Sequence, residues 1–310
     1  MPLTDGQRAF ADELSKLWNQ DSRSGQGTPA GCSPPRPGTH LHSYQITKHK
    51  AWDPWKAGFP GGTSYQRAPR STRLAHWWCD SLRQASRHYS WVDVPGRGFS
   101  ALSRDLQIAM AAGNAIATAD ICTEIFKWGG VGQRGESDRW LRSKGKHIIA
   151  DIKDAVTLLS PGSTASLAHF DGHRLRMNSA MTKIYAAADP AQQVIIYDGR
   201  VGAALCLLLR HHLKRIRAPG VPVDLDLLWG AARVSRNAPA AANRRDPSDL
   251  TFTFGELNGY GITDERRAHV CRVASAILHT AIRESPVRDI ENALFMIGYA
   301  VRSPWATSLL

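Results

Sequence analysis

The chain is poor in the features that mark several classes of protein. Its five cysteines (Cys32, Cys79, Cys122, Cys206 and Cys271) are odd in number and scattered, without a CxxC pair. That spacing argues against a disulfide framework and against a cysteine-rich zinc or iron–sulfur site, so neither a metal nor a cofactor is expected. Long apolar runs are lacking as well: the longest is interrupted by Asp198 and Arg200. The first residues, MPLTDGQRAF, show no charged-then-apolar pattern, so neither a membrane span nor secretion is supported, and a cytoplasmic location is expected. Acidic side chains are the third scarcity. With 27 Asp and Glu against 39 Lys and Arg, the net charge is +12, and so large an excess of cations favours a polyanionic partner through counterion release. Nucleic acid is the leading candidate.

What is present is enough apolar residue, 43% of 310, to bury a sizeable core as one large or two closely packed domains. A first helix is expected in TDGQRAFADELSKLWN, capped by Thr4 or Asp5, with Phe10, Leu14 and Leu17 on one face. Residues 21–75 are dense in Gly, Pro and Ser, so 1–75 is expected to be an irregular N-terminal segment carrying that one helix, pinned to the core by Trp52, Trp55, Phe59 and Tyr65. From 76 to 310 the apolar spacing is mostly helical. Helices are expected at about 72–89, 100–127, 146–159, 175–188, 198–216, 264–284 and 286–302, several punctuated by Gly129-Gly130, by LLSPG, by AAADP or by Ser285-Pro286. Strand-like pieces are few, QVIIY before Asp198 and TFTF at 251–254. The expected class is therefore mostly α.

Two patterns point to other chemistries and lack the context these need. GVGQRG at 130–135 fits GxGxxG but follows a helix, so the strand-turn-helix that would hold a pyrophosphate is missing. His169 and His173 are four apart, but Gly172 lies between them and no carboxylate motif surrounds them. Neither they nor His211 and His212 form a metal motif.

Asp198 is the residue that asks for an explanation. In VIIYDGRVGAALCLLLRHHLKRIR it stands at the start of a strongly apolar helix that turns Val201, Leu205, Leu208, Leu209, Leu213 and Ile216 to the core and closes on Arg210, Lys214, Arg215 and Arg217. As an N-cap its carboxylate accepts first-turn N–H bonds and stays ionised. A plain cap fits that description. So does a fixed anion beside a sugar C1′, which stabilises an oxocarbenium-like transition state and orients a water.

The preceding segment, RLRMNSAMTKIYAAADP, is a short basic helix that places Lys183 fifteen residues before Asp198. A helix, a loop and a carboxylate opening a buried helix resemble the helix-hairpin-helix DNA glycosylase superfamily, with MNSAMTKIYA standing for its second hairpin helix and IIYDGRV for its catalytic turn. The looser YDGRV is similar to phage-defence glycosylases acting on glucosylated hydroxymethylcytosine. The resemblance covers about residues 100–300. It implies a two-lobed helical bundle, a catalytic role for Asp198, and for Lys183 the place where strand-cleaving members carry a Schiff-base lysine. The chain departs from the family's Leu-Pro-Gly-h-Gly hairpin, having Met177-Asn178-Ser179-Ala180-Met181 instead.

On this reading Arg174, Arg176, Asn178 and Arg200, with Arg233, Arg236, Asn237, Arg244 and Arg245 of a polar loop, are candidates for DNA contacts. Lys183 is expected near the edge of a helix face formed by Met177, Met181, Ile184 and Ala188, where a phosphate contact suits it and water serves as the nucleophile. Base flipping needs a pocket wall, for which Tyr197, beside Asp198, and Trp77, Trp78, Trp91, Trp128 and Trp229 are candidates. Each Trp at helical spacing also suits a core position. The expected partner is DNA carrying a modified base, bound by a monomer. Two rivals are a non-catalytic DNA-binding protein in which Asp198 only caps its helix and a basic nuclease or recombinase-like enzyme, the latter disfavoured because neither a carboxylate cluster suited to two metals nor a compact Arg/His/Tyr set is found.

Overall fold

The computed structural model describes residues 2–20, 41–49, 63–67, 72–89, 91, 98–131, 135–232 and 243–302. They are mostly helical and divide into two compact units, each assembled from three stretches of chain. The first unit comprises Met1–Arg8, Asp93–Asp198 and Leu257–Thr280; the second comprises Ala9–Val92, Gly199–Glu256 and Ala281–Leu310.

Helix α1 (Asp5–Asn19) begins where expected, and the reason is a capping box. Thr4 Oγ1 accepts from the Gln7 backbone N–H and Gln7 Oε1 accepts from that of Thr4, both at 3.2 Å. In the first unit follow α3 (Phe99–Ala111), α4 (Ala115–Trp128), α5 (Glu136–Ser143), α6 (Ile148–Leu159) and α7 (Met181–Ala188), with α9 (Asp264–Ala281) contributing all but its last residue. The single helix expected at 100–127 is two. Gly113 sits in the left-handed region at φ +69°, and Asn114 Oδ1 then caps α4 by accepting from Ala117 N at 3.0 Å. Helix α5 was not expected; it is short and strongly amphipathic, with Trp140 and Leu141 buried.

The second unit holds a three-stranded antiparallel sheet in the order β1-β3-β2, built from β1 (His42–His49), β2 (Thr63–Arg67) and β3 (Thr72–Cys79). Its register pairs His42 with Cys79 and Thr63 with Trp77. This corrects two expectations. Part of the irregular N-terminal segment is sheet, and the helix expected at 72–89 is strand β3 followed by the short α2 (Leu82–Arg87). Trp77 and Trp78 are both buried although they point to opposite faces of the strand. A strand covered on both faces has no alternation to distinguish it from a buried helix. Around the sheet's unit lie α8 (Gly199–Arg215), which packs on α10 (Val287–Ile297), and the two-residue strands β4 (Leu228–Trp229) and β5 (Gly255–Glu256), paired in parallel.

Neither strand expected from the sequence is one. Val194–Tyr197 is buried at every position, but the N–H groups of its first two residues find side chains instead of a ladder: Val194 N donates to Asp189 Oδ2 at 2.9 Å and Ile195 N to Ser275 Oγ at 3.4 Å. At 251–254 the alternation is real, with Phe252 and Phe254 buried and the threonines exposed, yet Asp249 Oδ1 takes the N–H groups of Thr251 and Phe252 and folds the segment as a turn. Among the described residues no helix is long and apolar enough to cross a membrane.

Candidate functional site

Helix α7 positions the first half of the site. It starts at Met181, later than expected, because Asn178 Oδ1 accepts from Ala180 N at 2.9 Å and Met181 N at 3.1 Å and so organises the turn ahead of it. All eight of its residues are buried, against α3, α4 and α6. The edge position expected for Lys183 is therefore corrected: the side chain is 7% exposed, because neighbours on every side leave α7 without an edge. Its Nζ donates to the Ser179 carbonyl at 2.8 Å, and its stem passes over Gly129 at the end of α4.

Asp189 governs the path from α7 to Asp198. Its buried carboxylate accepts from Ala191 N, Gln193 N and Val194 N at 2.9, 2.6 and 2.9 Å, turning the chain sharply after the helix. The carbonyl of Gln193 meets His279 Nε2 at 3.0 Å. The chain then runs through Ile195, Ile196 and Tyr197, all buried, to the half-buried Asp198, which directly precedes α8 in the position of an N-cap. Thr182 ties the two ends together. Its Oγ1 lies 3.1 Å from the Ser179 carbonyl, the acceptor it shares with Lys183, and 3.5 Å from the carbonyl of Tyr197. Lys183 and Asp198 are thus brought to the same end of α7. A fixed carboxylate can stabilise a positively charged reaction centre and orient a water beside it, and a buried amine held nearby can shape the space that the centre occupies.

The other candidates are placed as follows. Asn178 points inward, its Nδ2 donating to Ser137 Oγ at 2.9 Å. Arg174 is exposed and pairs with Asp154 at 3.0 Å, on a loop held by Asp171, whose Oδ1 accepts from His173 N and Arg174 N at 2.7 Å each. Those N–H bonds keep the Asp171 carboxyl below the usual carboxylate range. Arg176 is half-buried against Glu136. Arg200, in the second unit, is 8% exposed, with its guanidinium 4.3 Å from the ring centre of Phe295, 5.2 Å from that of Tyr299 and 5.7 Å from that of Trp91. Arg244 is exposed and lies 4.5 Å from the Tyr299 ring centre, donating Nε to the Tyr299 carbonyl at 3.1 Å. Arg245 is half-buried, with its N–H on Asn243 Oδ1. Arg233, Arg236 and Asn237 lie outside the described residues.

Of the ring candidates, Tyr197 and Trp128 are buried in the first unit, Trp128 with Phe99 at 4.7 Å. Trp77 and Trp78 are buried in the second, Trp77 stacked on Tyr44 at 4.9 Å. Asp189, Thr182 and Ser275 were missed by sequence reasoning. Asp189 carried a signal, since an acidic residue between a helix end and a proline commonly bonds the N–H groups that follow it. Among the described residues no group of three or more His, Cys, Asp or Glu is placed to hold a metal ion. No family model matches the chain, and comparisons with curated proteins and with solved structures found no similar one.

Proposed function

We propose that the chain is a DNA glycosylase that draws a modified base out of DNA and hydrolyses its N-glycosidic bond, leaving an abasic site. The observation that carries this reading is the way Asp198 is presented. A buried helix, a turn fixed by Asp189 and a buried apolar segment deliver one half-buried carboxylate to the head of α8, and the buried amine of Lys183 lies at the same end of α7. In the reaction the C1′–N bond breaks and its electron pair leaves with the base. Asp198 stabilises the cationic sugar and orients the water whose oxygen joins C1′; the water gives up one proton as the C–O bond forms, and the departing base takes one up. Lys183, buried and held on the Ser179 carbonyl, shapes the site while water remains the nucleophile.

The charge of +12 supports a nucleic-acid partner, and exposed Arg244 and Arg174 are suited to phosphates. Arg200, enclosed by rings, is left out of that set. The substrate we favour is DNA with glucosylated hydroxymethylcytosine, which would give a cytoplasmic monomer a role in defence against phages. The test is incubation with DNA from a phage carrying that base and with unmodified DNA, followed by alkali. Strand breaks in the modified DNA alone are expected. DNA that is bound and left alkali-stable in both cases would instead make the chain a non-catalytic binder in which Asp198 caps a helix.

A further inference from the structure

Two glycines close α4, and the backbone requires only one of them. Gly130, at φ +66°, has the left-handed conformation that ends a helix and favours glycine. Gly129, the residue before it, has φ −73° and ψ 4°, which any residue adopts. What sets Gly129 apart is the space its side chain would need: a Cβ there would lie 2.4 Å from Cδ and 2.6 Å from Cε of Lys183. The lysine stem runs directly over the bare α-carbon.

We propose that Gly129 is a positioning residue for Lys183, its missing side chain forming the slot that sets where Nζ rests. The slot follows from geometry; its effect on the reaction rests on the glycosylase reading. Ordinary carbon–carbon contact is about 3.5–4.0 Å, so a methyl group at Gly129 makes the stem withdraw by roughly 1 Å. The Ile125 carbonyl, 3.3 Å from the same point, blocks relief on that side. The stem can move, being a flexible chain, and Nζ moves with it off the Ser179 carbonyl that it shares with Thr182. A displacement of that size near a reacting centre can lower a rate by about a hundredfold. Gly129→Ala is therefore expected to shift the amine while leaving the fold in place.

The experiment combines Gly129→Ala, Lys183→Ala and the double variant. In protein with 13C-labelled lysine, the Lys183 Cε signal, identified by its loss in Lys183→Ala, is expected to shift in Gly129→Ala while the other lysine signals stay put. Base release at saturating DNA is expected to fall about ten- to a hundredfold in Gly129→Ala with KM within about threefold, and adding Gly129→Ala to Lys183→Ala is expected to change nothing, because Cδ and Cε are gone. An unmoved Lys183 signal, or an equal loss from Gly129→Ala in both backgrounds, overturns the proposal. If the unsubstituted protein releases no base, the glycosylase reading fails by itself. The slot then stands or falls on the lysine signal and on thermal unfolding, where Gly129→Ala should lower Tm in the unsubstituted protein and not in Lys183→Ala.

Discussion

Gly129 in the first unit and Gly298 in the second have nearly the same backbone, φ −73° and ψ 4° against φ −71° and ψ 2°, and each follows the last residue of a helix. Each also lies against a residue that carries a buried cation. What a Cβ would meet is different. At Gly129 it meets the movable stem of Lys183, whereas at Gly298 it would fall 1.8 Å from the carbonyl oxygen of Arg200 and 2.5 Å from its carbon, which belong to the first turn of α8. Equal dihedral angles therefore hide unequal roles: one glycine makes room for a side chain, and the other allows a helix end to press on a helix start. The cations differ in the same way. Arg200 rests its flat guanidinium on the faces of Phe295, Tyr299 and Trp91, a mode of burial that suits a structural anchor, while Lys183 keeps its Nζ on a polar acceptor beside the segment that leads to Asp198.

The largest effect that sharpens this contrast is expected from Gly298→Ala. Backbone must move to admit the methyl group, so a loss of about 3 kcal/mol or more is expected, at the upper end of overpacking costs. Urea unfolding of the two glycine variants side by side checks it, and a Gly298→Ala protein as stable as Gly129→Ala would break the comparison.

Acid is expected to act mainly on the second unit. Burial lowers the pKa of His211 to about 4, helped by Arg210 and Lys214, and burial also lowers those of His88 and His212; in the first unit it lowers that of His279. A histidine depressed on folding contributes stability that is present above its unfolded value of about 6.5 and lost as pH falls through the folded value. For His211 the loss between about pH 6.5 and 4 is about 2–3 kcal/mol. Unfolding free energies followed over that range should fall more gently in His211→Gln. Identical slopes in the two proteins would contradict the assignment.

Arg200→Met keeps an unbranched stem and removes the guanidinium from the rings. A loss of about 1–2 kcal/mol in unfolding free energy is expected, with Arg200→Ala losing more because a cavity is added. A smaller effect, about 1 kcal/mol, is expected of Asn114→Ala, which removes the cap of α4 in the first unit. Its Gly counterpart should recover most of that loss in a thermal melt.

These sites also show how far the sequence could be read. The head of α8 was legible because an acidic residue, a glycine and a long apolar face coincide there, and the start of α1 because Thr4 and Gln7 form a capping box. The burial of Lys183 was not. A helix covered by α3, α4 and α6 has no polar stripe, and one lysine in a short helix reads as a marker of an exposed edge. The same difficulty hid β3, where two adjacent buried tryptophans imitate a helix. Asn178 looked like a surface donor and is taken up instead by the turn before α7, because a short amide bonds its own backbone wherever a turn offers N–H groups. Tertiary neighbours decided the burial of Lys183 and of β3, and a local turn decided Asn178; no hydrophobic period records either.

The central claim is that the charge of Asp198 performs the chemistry, and Asp198→Asn tests it most directly. An amide still serves at the head of α8 but supplies no anion. Single-turnover release of glucosylated hydroxymethylcytosine from duplex DNA should fall by about a hundredfold or more, with DNA affinity and Tm close to those of the unsubstituted protein. Base release within a few-fold of the unsubstituted rate would contradict the account and leave Asp198 as the cap of a helix.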